Sequence, residues 1–358
     1  MNIELKNANR MPVPTWRWLK MNATTISCDN PGNYVNVKPQ VSDLPAEIEL
    51  THTKNPAFPQ IVTGAGKDTN DFLENHAAQV NYFTIKENAD VAKPVVLAYE
   101  LADNNFAVED NYIYAKKNSK ATIIIAHNSP YNASGLHGGS VKVYAEENAH
   151  VKIVQLQTLG KDFYNIDDIG TTCADNAIVE ITQLELGAKQ NWLGVNMALP
   201  GTKSEAHLQT KYLTTQDQNV DMNYVVDITG KKTDSTIISD GILMHNAKKL
   251  LRGTLDFKRG CKGSVGNESE NVLLLDGQVE NKSIPIILCG EEDIEGNHSA
   301  SIGEMDEGQL FYLRTRGLSD QDIRHMQIES RTQLMCNDLP EQLHSSILTY
   351  KQEAFKNE

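Results

Sequence analysis

From about residue 95, short stretches of alternating apolar and polar residues recur at a near-constant interval, and nothing else in this 358-residue chain restricts its fold as much. The segments NSKATIII from Asn118, NAHVKIV from Asn148 and NAIVEIT from Asn176 each set a small polar turn before alternating apolar positions. Taking Ala121, Val151 and Val179 as equivalent gives intervals of 30 and 28, and Ala206, Thr236 and Ser264 continue at 27, 30 and 28. Self-similarity on the scale of about 20 to 50 residues is the mark of a solenoid. Alternation such as Ala121, Ile123, Ile125 has the period of two that belongs to strands, not the 3.6 of helical repeats. Gly138, Gly139, Gly170, Gly187, Gly230, Gly241, Gly260 and Gly263, together with the asparagines, are expected at corners where the coil turns through positive φ. The fold class expected is mainly β, a right-handed parallel β-helix, with an antiparallel sandwich as the competing arrangement.

The flanks differ. Seven of the 12 prolines, Pro12, Pro14, Pro31, Pro39, Pro45, Pro56 and Pro59, fall in the first sixty residues and predict an irregular segment with short strands. One short helix is expected over Asp68 to Ala78, with Phe72, Leu73 and Ala77 inward. After Gly303, EMDEGQLFYLRTRG has Leu310, Leu313 and Arg314 at helical spacing and a stop at Gly317, where Phe311 and Leu313 would pack on the solenoid end. Ser319 and Asp322 match a capping box, with Ile323, Met326, Ser330 and Leu334 on one face; after Pro340 a further helix would turn Leu343, Ile347 and Leu348 inward. The domains expected are an N-terminal segment 1–94, a β-helix core 95–303 and a helical appendix 304–358.

Composition narrows the function. A net charge of -14 with no Lys/Arg stripe speaks against a nucleic-acid partner, whose phosphates bind mainly to cationic side chains. No apolar run is long enough to span a bilayer and the N-terminus lacks a signal-peptide pattern, so no membrane partner is expected and the chain reads as cytoplasmic. Cys28, Cys173, Cys261, Cys289 and Cys336 form no C-x-x-C pair and read as reduced, buried small hydrophobes. No G-x-x-x-x-G-K-[ST], G-x-S-x-G or G-x-G-x-x-G is present, and His76, His127, His137, His207 and His245 form no H-x-x-x-H or H-x-H pair. The chain is therefore expected not to be an enzyme.

The stretch from Val272 to Arg331 resembles the C-terminal signature of the SufB/SufD proteins of iron-sulfur cluster assembly. That signature has a P-x-L-x-I strand, a His followed by small residues, an acidic pair, LFYL-x-SRGI and a helix. Here His298 stands twelve positions before Leu310 of LFYLRTRG, as the family's His stands before its LFY, and VPTWRWLKMN is similar to the family's entry segment. The resemblance implies a parallel β-helix core that pairs through its C-terminal coils with a SufB-like subunit or with itself, as a dimer. It also implies a SufC-like ABC ATPase bound at the C-terminal helices, on Arg314, Arg316, Gly317, Leu318, Ile323, Arg324, Met326 and Arg331. The SufB branch has a Cys one coil before its His, directly beside it in the stack; that place falls on Glu270 here, and the position two before the His is Gly296. The match is thus closer to the SufD branch. It implies His298 as a metal or cluster ligand, with Glu270, Cys289 and Glu295 at the same interface. No stably bound cofactor follows, only a transient iron-sulfur cluster shared with a partner.

From the residues themselves, a nascent cluster needs thiolates or imidazole, and His298 has Cys289, Glu291, Glu292, Asp293 and Glu295 nearby in sequence. The plainer readings are a solvated acidic corner around His298 and a core thiol at Cys289. Two other functions compete: a structural β-helix without a cluster role, and a carbohydrate-active β-helix enzyme, which would carry aromatic sugar platforms where this chain has 6% aromatics.

Overall fold

The computed structural model describes residues 2–15 and 17–356; Trp16 of the entry-segment resemblance lies outside the described residues. The N-terminal segment contributes β1 (Ile3–Ala8), β2 (Thr24–Cys28), β3 (Asn33–Tyr34), β4 (Gln40–Val41), β5 (Ile48–Thr51) and α1 (Lys67–His76). The coils then follow as β6 (Gln79–Ile85), β7 (Val95–Glu100), β8 (Asn105–Ala115), β9 (Lys120–Asn128), β10 (Ser134–Ala145), β11 (His150–Thr158), β12 (Asp162–Cys173) and β13 (Ile178–Glu185). They continue as β14 (Gln190–Leu199), β15 (Glu205–Thr214), β16 (Asn219–Ile228), β17 (Asp234–Leu243), β18 (Lys248–Phe257), β19 (Ser264–Leu274), β20 (Glu280–Cys289) and β21 (Ile294–Gly303). The appendix holds α2 (Glu307–Thr315), α3 (Asp320–Cys336) and α4 (Glu341–Ala354).

Even-numbered strands from β6 to β20 stack into one sheet and odd-numbered strands from β7 to β21 into the other, every pair between them parallel. This is a parallel β-solenoid of about eight turns, and the antiparallel sandwich is excluded. Parallel pairing begins at β6, ahead of residue 95, because Gln79–Ile85 already aligns with Glu109–Ala115. The expected equivalence holds through Ala121, Val151, Val179 and Ala206 and then slips: Ala206 faces Ser235, not Thr236, and Ser235 faces Gly266, not Ser264. The C-terminal coils are longer than those in the middle of the solenoid, and turns such as 258–263 absorb the excess.

Apolar residues of the inner faces, among them Ile123, Val143, Ile153, Ile181, Met222 and Leu251, form one continuous core between the sheets. Asparagine, more than glycine, makes the corners. Asn118, Asn148 and Asn176 sit at φ 57, 57 and 54, and their amides form a ladder in which Asn148 donates to Asn118 and Asn118 to Asn88 at 2.9 and 2.8 Å. Of the glycines expected there, Gly260 and Gly263 have positive φ, whereas Gly138, Gly139, Gly170 and Gly241 lie inside strands.

The N-terminal segment straps the outer face of the even sheet. Gly64 and Gly194 let two backbones touch, since a Cβ on Gly194 would overlap the Ala65 backbone nitrogen. Thr63 Oγ and the Ala65 amide donate to the buried Asp168 carboxylate at 2.6 and 2.7 Å.

The last two helices lie along the outer face of the odd sheet and do not cap the solenoid end. Ile328, Met335, Cys336, Leu343, Ile347 and Tyr350 pack on Val96, Ile124, Val154, Leu184, Leu213 and Met244. The expected inner face of α3 is corrected accordingly: Ile323 is buried, but Met326 and Leu334 are exposed and Ile328, Thr332 and Met335 take their place. In α4, Leu343 and Ile347 face inward while Leu348 is exposed. Phe311, expected to pack on the solenoid, is 69% exposed, and α2 buries no residue. The Ser319–Asp322 capping box forms as read. No helix of the described residues is long and apolar enough to cross a membrane.

Candidate functional site

Because the helices run along the flank, the final coil, β20 and β21, has no coil of the described residues stacked beyond it. Its inward-facing positions are thereby open: Ile287 is half-buried, and Cys289, His298 and Ile302 are exposed, whereas Leu255, Phe257, Glu268 and Val272, their register partners one coil earlier, are buried. A strand pair with free edges and exposed inner-face side chains is a surface that another chain can extend.

Register decides what stands beside His298. In the pairing of β19 with β21, His298 faces Glu268, and Glu270 faces Ala300. The expectation that Glu270 neighbours His298 is corrected by this offset of two positions. Glu268 and Glu270 both point into the coil, 5% and 3% exposed. Glu270 is spent on Lys249, whose Nζ also donates to Ser283 Oγ at 3.0 Å. Glu268 has no such partner, and its Oε2 makes no hydrogen bond. Burial, reinforced by the charge of Glu270, pushes its carboxyl up to about 7. An acid that is half-protonated near neutrality thus stands one strand from an exposed imidazole, able to hand over or take a proton or to offer an oxygen to a soft or borderline metal. Sequence reasoning missed Glu268 and Lys249; the signal was the true step of this coil.

The remaining candidates separate. Cys289 is exposed on the inner face of the even sheet, not a core thiol, while the other four cysteines are buried. Glu295 lies on the outward face of β21, where it accepts Asn297 Nδ2 at 3.1 Å, so it does not share a face with His298. Glu291 accepts the Gly260 amide at 2.9 Å and closes a corner.

Of the residues expected to bind an ATPase, Arg314 pairs with Asp320 at 2.7 Å, and Arg316 sits 5.1 Å over the Tyr312 ring. Gly317 turns the chain at φ 88, and Leu318 is half-buried. Met326 is exposed on α3. Ile323 faces inward at 4% exposure, and Arg331 is half-buried. Arg324 is an internal clamp: its guanidinium donates to both Asp276 oxygens at 2.9 and 3.0 Å, fixing α3 to the turn after β19. Arg324→Ala is expected to cost about 1 kcal/mol, a discounted value for a partly exposed pair, and a denaturant midpoint unchanged from the parent would count against this role. Phe311 and Tyr312 on α2 and Met326 and Leu334 on α3 are apolar side chains left exposed to solvent.

The family model of the SUF system FeS cluster assembly SufBD core domain matches residues 99–331, and the chain belongs to that family. Curated proteins named "iron-sulfur cluster assembly SufBD family protein" from Staphylococcus epidermidis, Staphylococcus haemolyticus and Staphylococcus aureus are 24% identical to it over 262 residues, 73% of this chain. The alignment covers 56% of those relatives, so the chain spans little more than half their length.

Proposed function

We propose that this chain is a non-catalytic subunit of an iron-sulfur assembly scaffold, pairing through its open last coil with a SufB-like subunit or a second copy of itself and binding an ABC-type ATPase through α2 and α3. The observation that carries the reading is the uncovered coil with His298 beside the buried, unpartnered Glu268. In this reading the nascent cluster is cargo held between subunits. His298 is a ligand or proton carrier there, and Glu268 is its neighbour in the stack. Glu270 is held by Lys249, and Cys289 is the thiol at the open end of the facing sheet. ATP hydrolysis belongs to the partner.

Co-purification with native partners tests this, with an ABC ATPase and a β-helix partner expected in the complex. His298→Ala should leave ATPase binding unchanged while cluster transfer to an apo-acceptor falls. Phe311→Glu with Tyr312→Glu should abolish ATPase capture and leave the fold intact, since exposed substitutions shift stability by only about 0.5 kcal/mol. Normal cluster transfer by the His298 variant would defeat the assignment of that residue, and undiminished ATPase capture by the double variant would defeat the helix surface. A second expectation concerns the isolated chain. With Glu268 and not a thiol beside His298, anaerobic reconstitution with iron and sulfide should yield little stable cluster. A stoichiometric, Cys289-dependent visible absorption band would contradict it.

A further inference from the structure

Far from the open end, three strands bring a carboxylate and two imidazoles together inside the solenoid. Glu109 of β8, His127 of β9 and His137 of β10 are 2%, 1% and 0% exposed. Both rings turn Nε2 onto the same carboxylate: His127 lies 2.7 Å from Glu109 Oε1, and His137 lies 3.0 and 3.2 Å from Oε1 and Oε2. The three ligand atoms fall within 4.8 Å of one another. A tetrahedral ion with ligand bonds near 2 Å needs its donor atoms about 3.3 Å apart, so the cage is close to that size.

The surroundings are arranged as a metal's surroundings are. Asn165 Oδ1 holds His137 Nδ1 at 2.6 Å, which leaves Nε2 aimed at the centre, and Asn165 Nδ2 donates to Asp167 Oδ2 at 2.8 Å. The other oxygen, Asp167 Oδ1, is buried and makes no hydrogen bond. Gly139 separates the two carboxylates in the register, and a Cβ there would stand 2.8 Å from Glu109 Oε1, 3.1 Å from Asp167 Oδ1 and 3.1 Å from His137 Cε1. The missing side chain therefore leaves the space between those groups empty, with an unsatisfied oxygen facing it. Glu185 lies in the same interior with Oε1 also unpartnered, so three carboxyls gather where burial makes uncompensated negative charge costly.

We propose that Glu109, His127 and His137 form a buried three-donor site for a first-row divalent ion such as Zn²⁺ or Fe²⁺, its fourth position facing the gap that Gly139 leaves beside Asp167. Two imidazoles with carboxylate oxygens suit these ions, whereas Ca²⁺ and Mg²⁺ prefer all-oxygen shells. The site is separate from His298. Six strand steps along the odd sheet divide β9 from β21, roughly 29 Å at the usual spacing. Its effect is structural: the ion ties the first full coils to one another across the two sheets. With the cage closed on every side, the ion enters as the coils close during folding.

The test uses the full chain expressed without a metal-binding tag in medium supplemented with zinc or with cobalt, and washed with chelator after purification. Mass spectrometry of the metal should find about one ion per chain, and the cobalt form should show the intense visible bands of four-coordinate Co²⁺. His127→Gln with His137→Gln should lose the ion, whereas the surface variant His150→Gln should keep it. If the double variant fails to fold, the stoichiometry and spectrum of the parent decide. Substoichiometric metal in the folded parent, or metal content unchanged in the folded double variant, would show the cluster to be a proton-bridged ion pair and overturn the proposal.

Discussion

Arg252→Ala is expected to lower stability by about 3 to 5 kcal/mol, the cost of leaving one partner of a buried ion pair alone. Arg252 lies on the outward face of β18, yet it is fully buried because the N-terminal segment covers it. Its guanidinium donates to both Asp221 oxygens, at 2.6 and 3.1 Å, and its Nε donates to the Met21 carbonyl at 2.6 Å. Asn9 Nδ2 reaches the same carboxylate at 2.7 Å, so one ion pair fastens two points of the N-terminal segment to the solenoid. Removing the cation strands Asp221 at 5% exposure and frees the strap together. Denaturant unfolding should show the loss, and limited proteolysis should cut first among residues 9 to 23. Arg252→Met combined with Asp221→Leu should recover much of the stability, since replacing both charges by apolar groups removes the stranded anion. A single variant within about 1 kcal/mol of the parent would sink the assignment.

The solenoid was legible because strand alternation and coil spacing are local properties of the chain, repeated often enough to be seen without contacts. Register was less legible. A turn is free to gain a residue or two on the surface, and each addition moves the stacking partner; the coil from Glu268 to His298 takes 30 residues where 28 was expected, which is how Glu268 and not Glu270 came to face His298. The polar interior was hidden for a related reason. Glu109, His137 and Asn165 are each separated by one coil's length of chain, and a search for histidines at short spacing passes over a constellation built by stacking. The face of α3 was ambiguous in itself, since Ile323, Met326 and Leu334 share one stripe at helical spacing and Ile328, Thr332 and Met335 another. Tertiary clamps choose between them: Arg324 on Asp276 at one end and Lys211 on Asp338 just beyond the other.

Glu268→Gln is expected to stabilise the protein at pH 8 and to do so far less at pH 5. The carboxyl faces Glu270, Lys249 and, across the stack, His298 from the packed strands. Burial and the Glu270 charge raise its folded pKa to about 7 from the ordinary value of 4.5. A raised carboxyl pKa means that the folded state binds the proton more tightly. Its penalty is therefore absent below the unfolded pKa, grows as pH climbs from 4.5 through 7, and is fully present above. The span corresponds to about 3 kcal/mol at pH 8, and a neutral amide does not incur it. Chemical unfolding of parent and variant at both pH values isolates the effect, because other buried acids such as Asp168 titrate in both proteins and cancel. Equal differences at pH 5 and pH 8 would mean that Glu268 does not titrate in this window. Should the pH dependence hold, the proposed pairing across the last coil acquires a proton signature. Covering Glu268 further removes it from water, so association should take up protons near pH 7, and calorimetry in buffers of different ionisation enthalpy would measure that uptake directly.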